Sequence, residues 1–175
     1  MRLKLQPATP DQAAAIAALR LAVAEDLTAR FGKGPWSSAG TEKGVLFDMR
    51  NAAVYVAVRR NRVIATLNLC TKKPWAIDRK YFSPCRRPLY LVSMAVQPGW
   101  QRNGIGRRCI EEAKRLAGER SGDALCLDAY DAAAGAGEFY RKCGFREVGR
   151  ATYRKAPLIY FEMLLSSKIS VTSAR

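Results

Sequence analysis

Histidine is absent from all 175 residues. Its absence removes Ser-His-Asp and Cys-His mechanisms, histidine-ligated zinc and the histidine general base, so proton transfer falls to carboxylate, tyrosine, lysine, cysteine or water. Acid is scarce: 15 Asp and Glu stand against 30 Lys and Arg, a formal net charge of +15. No apolar run reaches the roughly 20 residues that a membrane-spanning helix needs. Met1-Arg2-Leu3-Lys4-Leu5 also lacks the apolar core of a signal peptide. The five cysteines (Cys70, Cys85, Cys109, Cys126 and Cys143) are odd in number and never closely paired. That pattern argues against a disulfide framework and against zinc, and suits small core residues in a reducing cytoplasm. The expectation is a cytoplasmic chain with no metal and no membrane partner.

The basic excess is polarised. Residues 59 to 87 hold nine Lys or Arg against one acid and residues 141 to 155 hold six against one, whereas residues 121 to 140 hold Asp123, Asp128, Asp131 and Glu138 with no base. A polyanionic ligand would gain from such a field through steering. A solvated basic surface explains the 59 to 87 cluster equally well. A nucleic-acid partner is not expected, because no binding motif is recognisable and the aromatics are not spaced as a stacking platform.

What is present is concentrated in Leu89 to Arg108. An apolar run of strand length ends at Pro98-Gly99, glycines follow at Gly104 and Gly106, and a helical apolar pattern (Ile105, Cys109, Ile110, Ala113, Leu116, Ala117) runs on to Gly118. A helix starting near Gly104 presents main-chain amides without intrahelical partners at the positive end of its dipole, so it can hold an anion by backbone alone. Arg102, Arg107 and Arg108 add charge. The spacing of Gly99 and Gly104 fits the opening of a P-loop, but Ile105-Gly106 stands where that motif needs Lys and Ser or Thr. The dinucleotide fingerprint fails as well, because Gly104-Ile105-Gly106-Arg107-Arg108-Cys109 lacks its third glycine.

Gln101-Arg102-Asn103-Gly104-Ile105-Gly106 has the form Gln-x-x-Gly-x-Gly, which resembles the acetyl-CoA loop of the GNAT superfamily of N-acetyltransferases. Gly137-Glu138-Phe139-Tyr140-Arg141-Lys142-Cys143-Gly144-Phe145 is similar to that superfamily's Phe-Tyr-x-Lys-x-Gly-Phe element. The two occur in the family's order, and together they cover residues 89 to 165.

The rest of the chain supplies alternating elements. Leu3 to Pro7 reads as an edge strand, and Thr9-Pro10-Asp11-Gln12 as a capping box opening a helix with Ile16, Leu19, Val23 and Leu27 on one face. A loop from Phe31 to Gly44 leads to a short helix around Glu42 to Arg50. Val54 to Val58 and Val63 to Leu69 form a hairpin, followed by a long loop from Thr71 to Pro88. After the glycine-loop strand and helix come a strand near Leu125 to Tyr130, a helix near Gly135 to Cys143, and strands near Arg146 to Tyr153 and Leu158 to Leu165. The expected class is α/β (α+β): a three-layer α/β/α arrangement on a mixed, mostly antiparallel central sheet of six to seven strands, as the GNAT-like acyl-CoA acyltransferase fold also implies. Residues 1 to 165 form one domain in this reading, and residues 166 to 175 a flexible tail.

The resemblance implies direct transfer of the acetyl group of acetyl-CoA, as co-substrate, to a primary amine of a small molecule or peptide. It places Met94, Ala95 and Val96 along the pantetheine arm, and Gln101, Arg102, Asn103, Gly104, Ile105, Gly106 and Arg107 around the pyrophosphate. Tyr140 matches the tyrosine that protonates the leaving thiolate, and Asp128 stands where several relatives carry a Glu as general base. A core aromatic beside Phe139 and a solvent-facing strand-end Asp are the plainer readings of these two residues. Ala133 departs from the family, where many relatives carry an Asn contacting pantetheine; Asp131 or water is the nearby substitute. The acceptor pocket is expected to involve Asp26 to Ser38 with Phe31 and Trp36, together with Trp75, Tyr81, Phe82 and Tyr153. The acidic stretch Asp123 to Glu138 is expected to draw a cationic amine. A non-catalytic module that senses acyl-CoA, or binds nucleic acid or another partner, is the alternative, and a homodimer is compatible with the sequence.

Overall fold

The computed structural model describes residues 3–38 and 40–165. Its elements run β1 (Gln6–Pro7), α1 (Ala13–Phe31), α2 (Glu42–Asn51), β2 (Ala53–Arg59), β3 (Arg62–Cys70), β4 (Pro88–Val96), α3 (Ile105–Glu119), β5 (Ala124–Tyr130), α4 (Gly137–Lys142), β6 (Arg146–Tyr153) and β7 (Ala156–Leu164). The seven strands form one sheet in the order β1-β2-β3-β4-β5-β7-β6. Every neighbouring pair is antiparallel except β4 with β5. The expected three-layer, mostly antiparallel architecture is therefore the observed one; the 166 to 175 tail lies outside the described residues.

Period-two alternation along the strands builds two faces. Tyr55, Leu67, Leu69, Leu89, Leu91, Leu125, Leu127, Ile159 and Phe161 pack with Cys109, Ile110, Ala113 and Ala117 of α3 and with Tyr140 of α4. On the opposite face, Val54 and Val56 meet Ala13 and Ile16 of α1 and Val45 of α2. Farther along that face, Ile77 and Phe82 of the β3–β4 connection lie on Tyr90, Cys126 and Tyr160.

Three local departures from the sequence reading have physical causes. β1 is shorter than expected: Gln6 and Pro7 pair with β2 and the Ala8 amide reaches the Val54 carbonyl at 2.9 Å, whereas the Leu5 amide points to Glu112 Oε2 on α3, 3.4 Å away. In the capping box Gln12 Oε1 accepts the Thr9 amide at 3.0 Å, but the turn it opens over Pro10–Gln12 is a 3₁₀ turn, and α1 follows from Ala13. Helix α4 begins at Gly137 rather than Gly135, since Gly135 closes a tight turn onto the Ala132 carbonyl. A Cβ at Gly135 would stand 1.8 Å from the Tyr130 carbonyl oxygen.

Candidate active site

The site is made by a strand that leaves its neighbour. β4 pairs with β5 only over Pro88 to Tyr90, against Ala124 to Cys126. From Leu91 onward β4 follows β3 and β5 follows β7, which opens a slot between two parallel strands. Within β4 the register slips: Val92 faces Asn68 and Ala95 faces Thr66, so Ser93 and Met94 share the place opposite Leu67. This is a β-bulge, and Ser93 takes a left-handed φ of 53° to form it. The extra residue reverses the alternation, so Met94 and Val96 pack toward the α3 face, where Leu89 and Leu91 also point.

At the mouth of the slot the chain turns through Pro98–Trp100 and enters α3. Arg102 (φ 59°) and Gly104 (φ 74°) adopt left-handed conformations, and the first main-chain bond of the helix runs from the Arg108 amide to the Gly104 carbonyl at 3.1 Å. The amides of residues 104 to 107 thus lie ahead of the helical ladder and face outward, at the positive end of the helix dipole. A Cβ built on Gly104 meets nothing within 4 Å, so the outer side of this turn is open. Beside it lies a cavity of about 440 Å³ lined by Arg59, Gly99, Trp100, Asn103, Ile105 and Arg108, with the Arg59 guanidinium 4.8 Å above the Trp100 ring.

Several of the expected cofactor residues turn their side chains back onto the protein's own main chain. Gln101 turns its side-chain amide back to the Val96 carbonyl at 3.0 Å, Asn103 donates to the Gln101 carbonyl, and Arg107 reaches the Lys142 carbonyl. The Ile105 side chain is buried in the core. Gly106 leaves room for Phe139, whose ring would stand 3.1 Å from a Cβ there.

Tyr140 of α4 and Asp128 of β5 lie on opposite faces of the sheet. Tyr140 is 9% exposed, with its ring centroid 5.2 Å from Phe139, 5.5 Å from Phe145 and 6.0 Å from Phe161. Burial, then the Asp128 and Cys143 charges, push its hydroxyl well above the ordinary tyrosine range, so it is protonated at neutral pH. Asp128 pairs with Tyr160 of β7 and lies on the face opposite α3. Burial raises its carboxyl, against a hydrogen bond from its own main-chain amide.

The remaining acids disperse. Asp123 binds the amides of Arg86 and Arg87 at the foot of β5, Asp131 pairs with Arg150 at 2.6 Å, and Glu138 is exposed beside Arg141 and Lys142. The expected acidic patch is therefore reduced to Asp128. Among the expected acceptor aromatics, Tyr81 and Phe82 are supports packed on Tyr160, whereas Trp75 is 85% exposed and Trp36 meets Tyr130 edge-on. Burial pushes the Cys109 and Cys126 thiols up to about 12, which leaves both inert as nucleophiles. The bulge at Ser93 and the glycine at 135 escaped the sequence reading; the Gly-containing run 131 to 137 was the available signal for the second.

Residues 50–147, more than half of the chain, match the Acetyltransferase (GNAT) domain family, and the chain belongs to it. Among solved structures, the ribosomal-protein-S18-alanine N-acetyltransferase from Escherichia coli superposes with a TM-score of 0.69 at 15% identity, covering 94% of each chain. A GCN5-related N-acetyltransferase from Rhodopseudomonas palustris gives 0.69 at 22%, covering 94% of this chain and 97% of that one. An aminoglycoside 6'-N-acetyltransferase complexed with coenzyme A gives 0.65 at 15%, covering 93% and 97%. At these identities the likeness is one of fold. No curated protein sequence matches the chain.

Proposed function

We propose that this protein transfers the acetyl group of acetyl-CoA to a primary amine. The reading is supported by the parting of β4 from β5 after Tyr90, with the glycine-led start of α3 following β4, and by Asp128 of β5 and Tyr140 of α4 on opposite faces of the sheet. One similar fold holds coenzyme A and others are named for N-acetyl transfer, which supports the same assignment.

Acetyl-CoA supplies an activated acyl thioester. Residues 102 to 107 would hold its diphosphate through main-chain amides, and the β4 edge from Met94 to Val96, unpaired on its β5 side, would line the pantetheine arm. Asp128 accepts a proton from the amine, and the buried Tyr140 hydroxyl donates one to the departing sulfur. The C–N bond forms as the C–S bond breaks. Of the two protons that an ammonium nitrogen loses, one leaves through Asp128 to solvent and the other replaces the one Tyr140 gave up.

Thermal-shift titration tests the binding half, since a ligand that binds only the folded state raises its melting temperature by mass action. Acetyl-CoA and free CoA should both stabilise the chain, and thiol release across an amine panel should reveal turnover. No shift with either cofactor would refute the reading.

A further inference from the structure

Residues 72 to 87 and 146 to 155, far apart in the sequence, form one basic surface in the fold. The β3–β4 connection carries six Lys or Arg and one acid over the first range, and β6 with its turn into β7 carries four and one over the second. The connection lies across β7 and β6 on the face opposite α3. Tyr81 sets its ring centroid 5.4 Å from Tyr160 and fills the space above Gly149, where a Cβ would stand 2.2 Å from the ring, and Arg146 donates to Ser83 Oγ at 3.0 Å. Ala76 and Tyr81 of the connection therefore pack around the same buried cluster as Val148, Ala151 and Tyr153 of β6.

The acids of this surface are taken up within it. Asp78 pairs with Lys80, Glu147 with Arg150 and Glu162 with Arg146. The side chains of Lys72, Arg86, Arg87, Arg154 and Lys155 make no ion pair among the described residues, so the surface keeps a strong positive charge.

Aromatic rings alternate with these cations. Trp75 is 85% exposed, yet the turn that displays it is fastened on both sides: Lys73 Nζ donates to the Pro74 and Ile77 carbonyls at 3.1 and 2.7 Å, the Ile77 amide donates to the Pro74 carbonyl, and the Tyr160 hydroxyl donates to the Ala76 carbonyl. Lys80 stands 5.2 Å above the half-buried Tyr81 ring, and Arg154 5.3 Å above that of Tyr153. In the sequence these three rings are scattered; the fold gathers them on one face. Cations for phosphates and ring faces for bases are what an unpaired nucleic-acid strand needs, whereas a duplex hides its base faces and a lipid headgroup has no ring to stack.

We propose that this surface binds single-stranded nucleic acid, with bases against Trp75, Tyr81 and Tyr153 and phosphates against Lys72, Lys80, Arg154 and Lys155. The assignment is independent of acetyl transfer, because the glycine turn belongs to α3 on the other face of the sheet.

Fluorescence anisotropy of a labelled oligouridylate of about 20 nucleotides, titrated with the full chain, provides the test. Binding should persist in saturating coenzyme A and weaken roughly fiftyfold between about 50 and about 200 mM salt, as about four neutralised phosphates require on a single strand. Trp75→Ala should weaken it roughly tenfold at constant salt and Trp75→Phe should recover most of that loss; an indole so exposed can be exchanged without disturbing the fold. Lys80→Gln and Arg154→Gln, one on each segment, should each weaken binding and flatten its salt dependence. Annealing the strand to oligoadenylate should lower its affinity, although the duplex carries more charge. Absence of binding at low salt, equal affinity for the duplex, an unchanged affinity in Trp75→Ala or displacement by coenzyme A would each overturn the proposal. Binding to phosphatidylserine vesicles without binding to the oligonucleotide would overturn it as well, by making the surface a membrane contact.

Discussion

Glu162 of β7 and Ser83 of the β3–β4 connection lie 79 positions apart and are joined twice: the Glu162 carboxylate accepts the Ser83 amide at 2.9 Å and its hydroxyl at 2.7 Å. Arg146 of β6 closes the cluster. The carboxylate is 1% exposed, so these bonds fasten the long connection to the sheet face opposite α3. Burial alone would raise its pKa, but the Ser83 and Arg146 bonds hold it below the ordinary glutamate range. Glu162→Ala should therefore cost roughly 3 kcal/mol in chemical denaturation. A depressed carboxyl stabilises the fold above the unfolded value of about 4.3 and loses that contribution as pH falls through the folded value. Wild type and variant should accordingly converge in stability in acid.

Asp128 has the opposite sign. Its raised pKa means that ionisation is harder in the folded chain than in the unfolded one, so the charged carboxylate destabilises the fold at neutral pH. Asp128→Asn should raise stability there by roughly 0.5–2 kcal/mol while lowering turnover. The gain should vanish below the unfolded aspartate value of about 3.9. Melting temperatures at pH 7 and pH 3 measure it, and a destabilised Asn variant at pH 7 would contradict the assignment of an unpaired carboxylate.

Catalysis should depend on the Tyr140 hydroxyl rather than its ring. Phenylalanine keeps the contacts with Phe139, Phe145 and Phe161. Tyr140→Phe should lower kcat by about a hundredfold with acetyl-CoA affinity unchanged. Pre-steady-state thiol release with calorimetric acetyl-CoA binding separates the two quantities.

Gly104 combines a left-handed backbone with an open outer surface. Gly104→Ala should cost about 1 kcal/mol of fold stability through φ alone. Gly104→Asp should additionally set a negative charge at the helix start and abolish measurable acetyl-CoA binding. Affinity equal to wild type in the Asp variant would remove the diphosphate from this turn.

The glycine turn and the strands and helices around it were legible because each rests on local physics. Gly104 and Gly106 announce a helix start, near-continuous apolar runs of strand length announce β2, β3 and β5, and the 3.6-residue period announces α3. The bulge at Ser93 was not legible: nothing in Leu91 to Val96 marks which residue is extra, and the slip is fixed by β3 on one side and by the parting from β5 on the other. The acidic run from 121 to 140 misled for a related reason. Adjacent strand residues face opposite ways, and Arg86, Arg87 and Arg150, distant in sequence, consume Asp123 and Asp131.

The chain's order of residues by itself settled the family, the exclusion of histidine chemistry and the glycine turn that opens α3, since these depend on residue type and short spacing. Only the folded sheet decided that Asp128 meets no Lys or Arg among the described residues, that Trp36 reaches Tyr130 from the far end of α1, and that β4 and β5 part after three paired residues. Such facts arise from contacts between segments far apart in sequence, where burial and strand register, not local propensity, determine which groups meet.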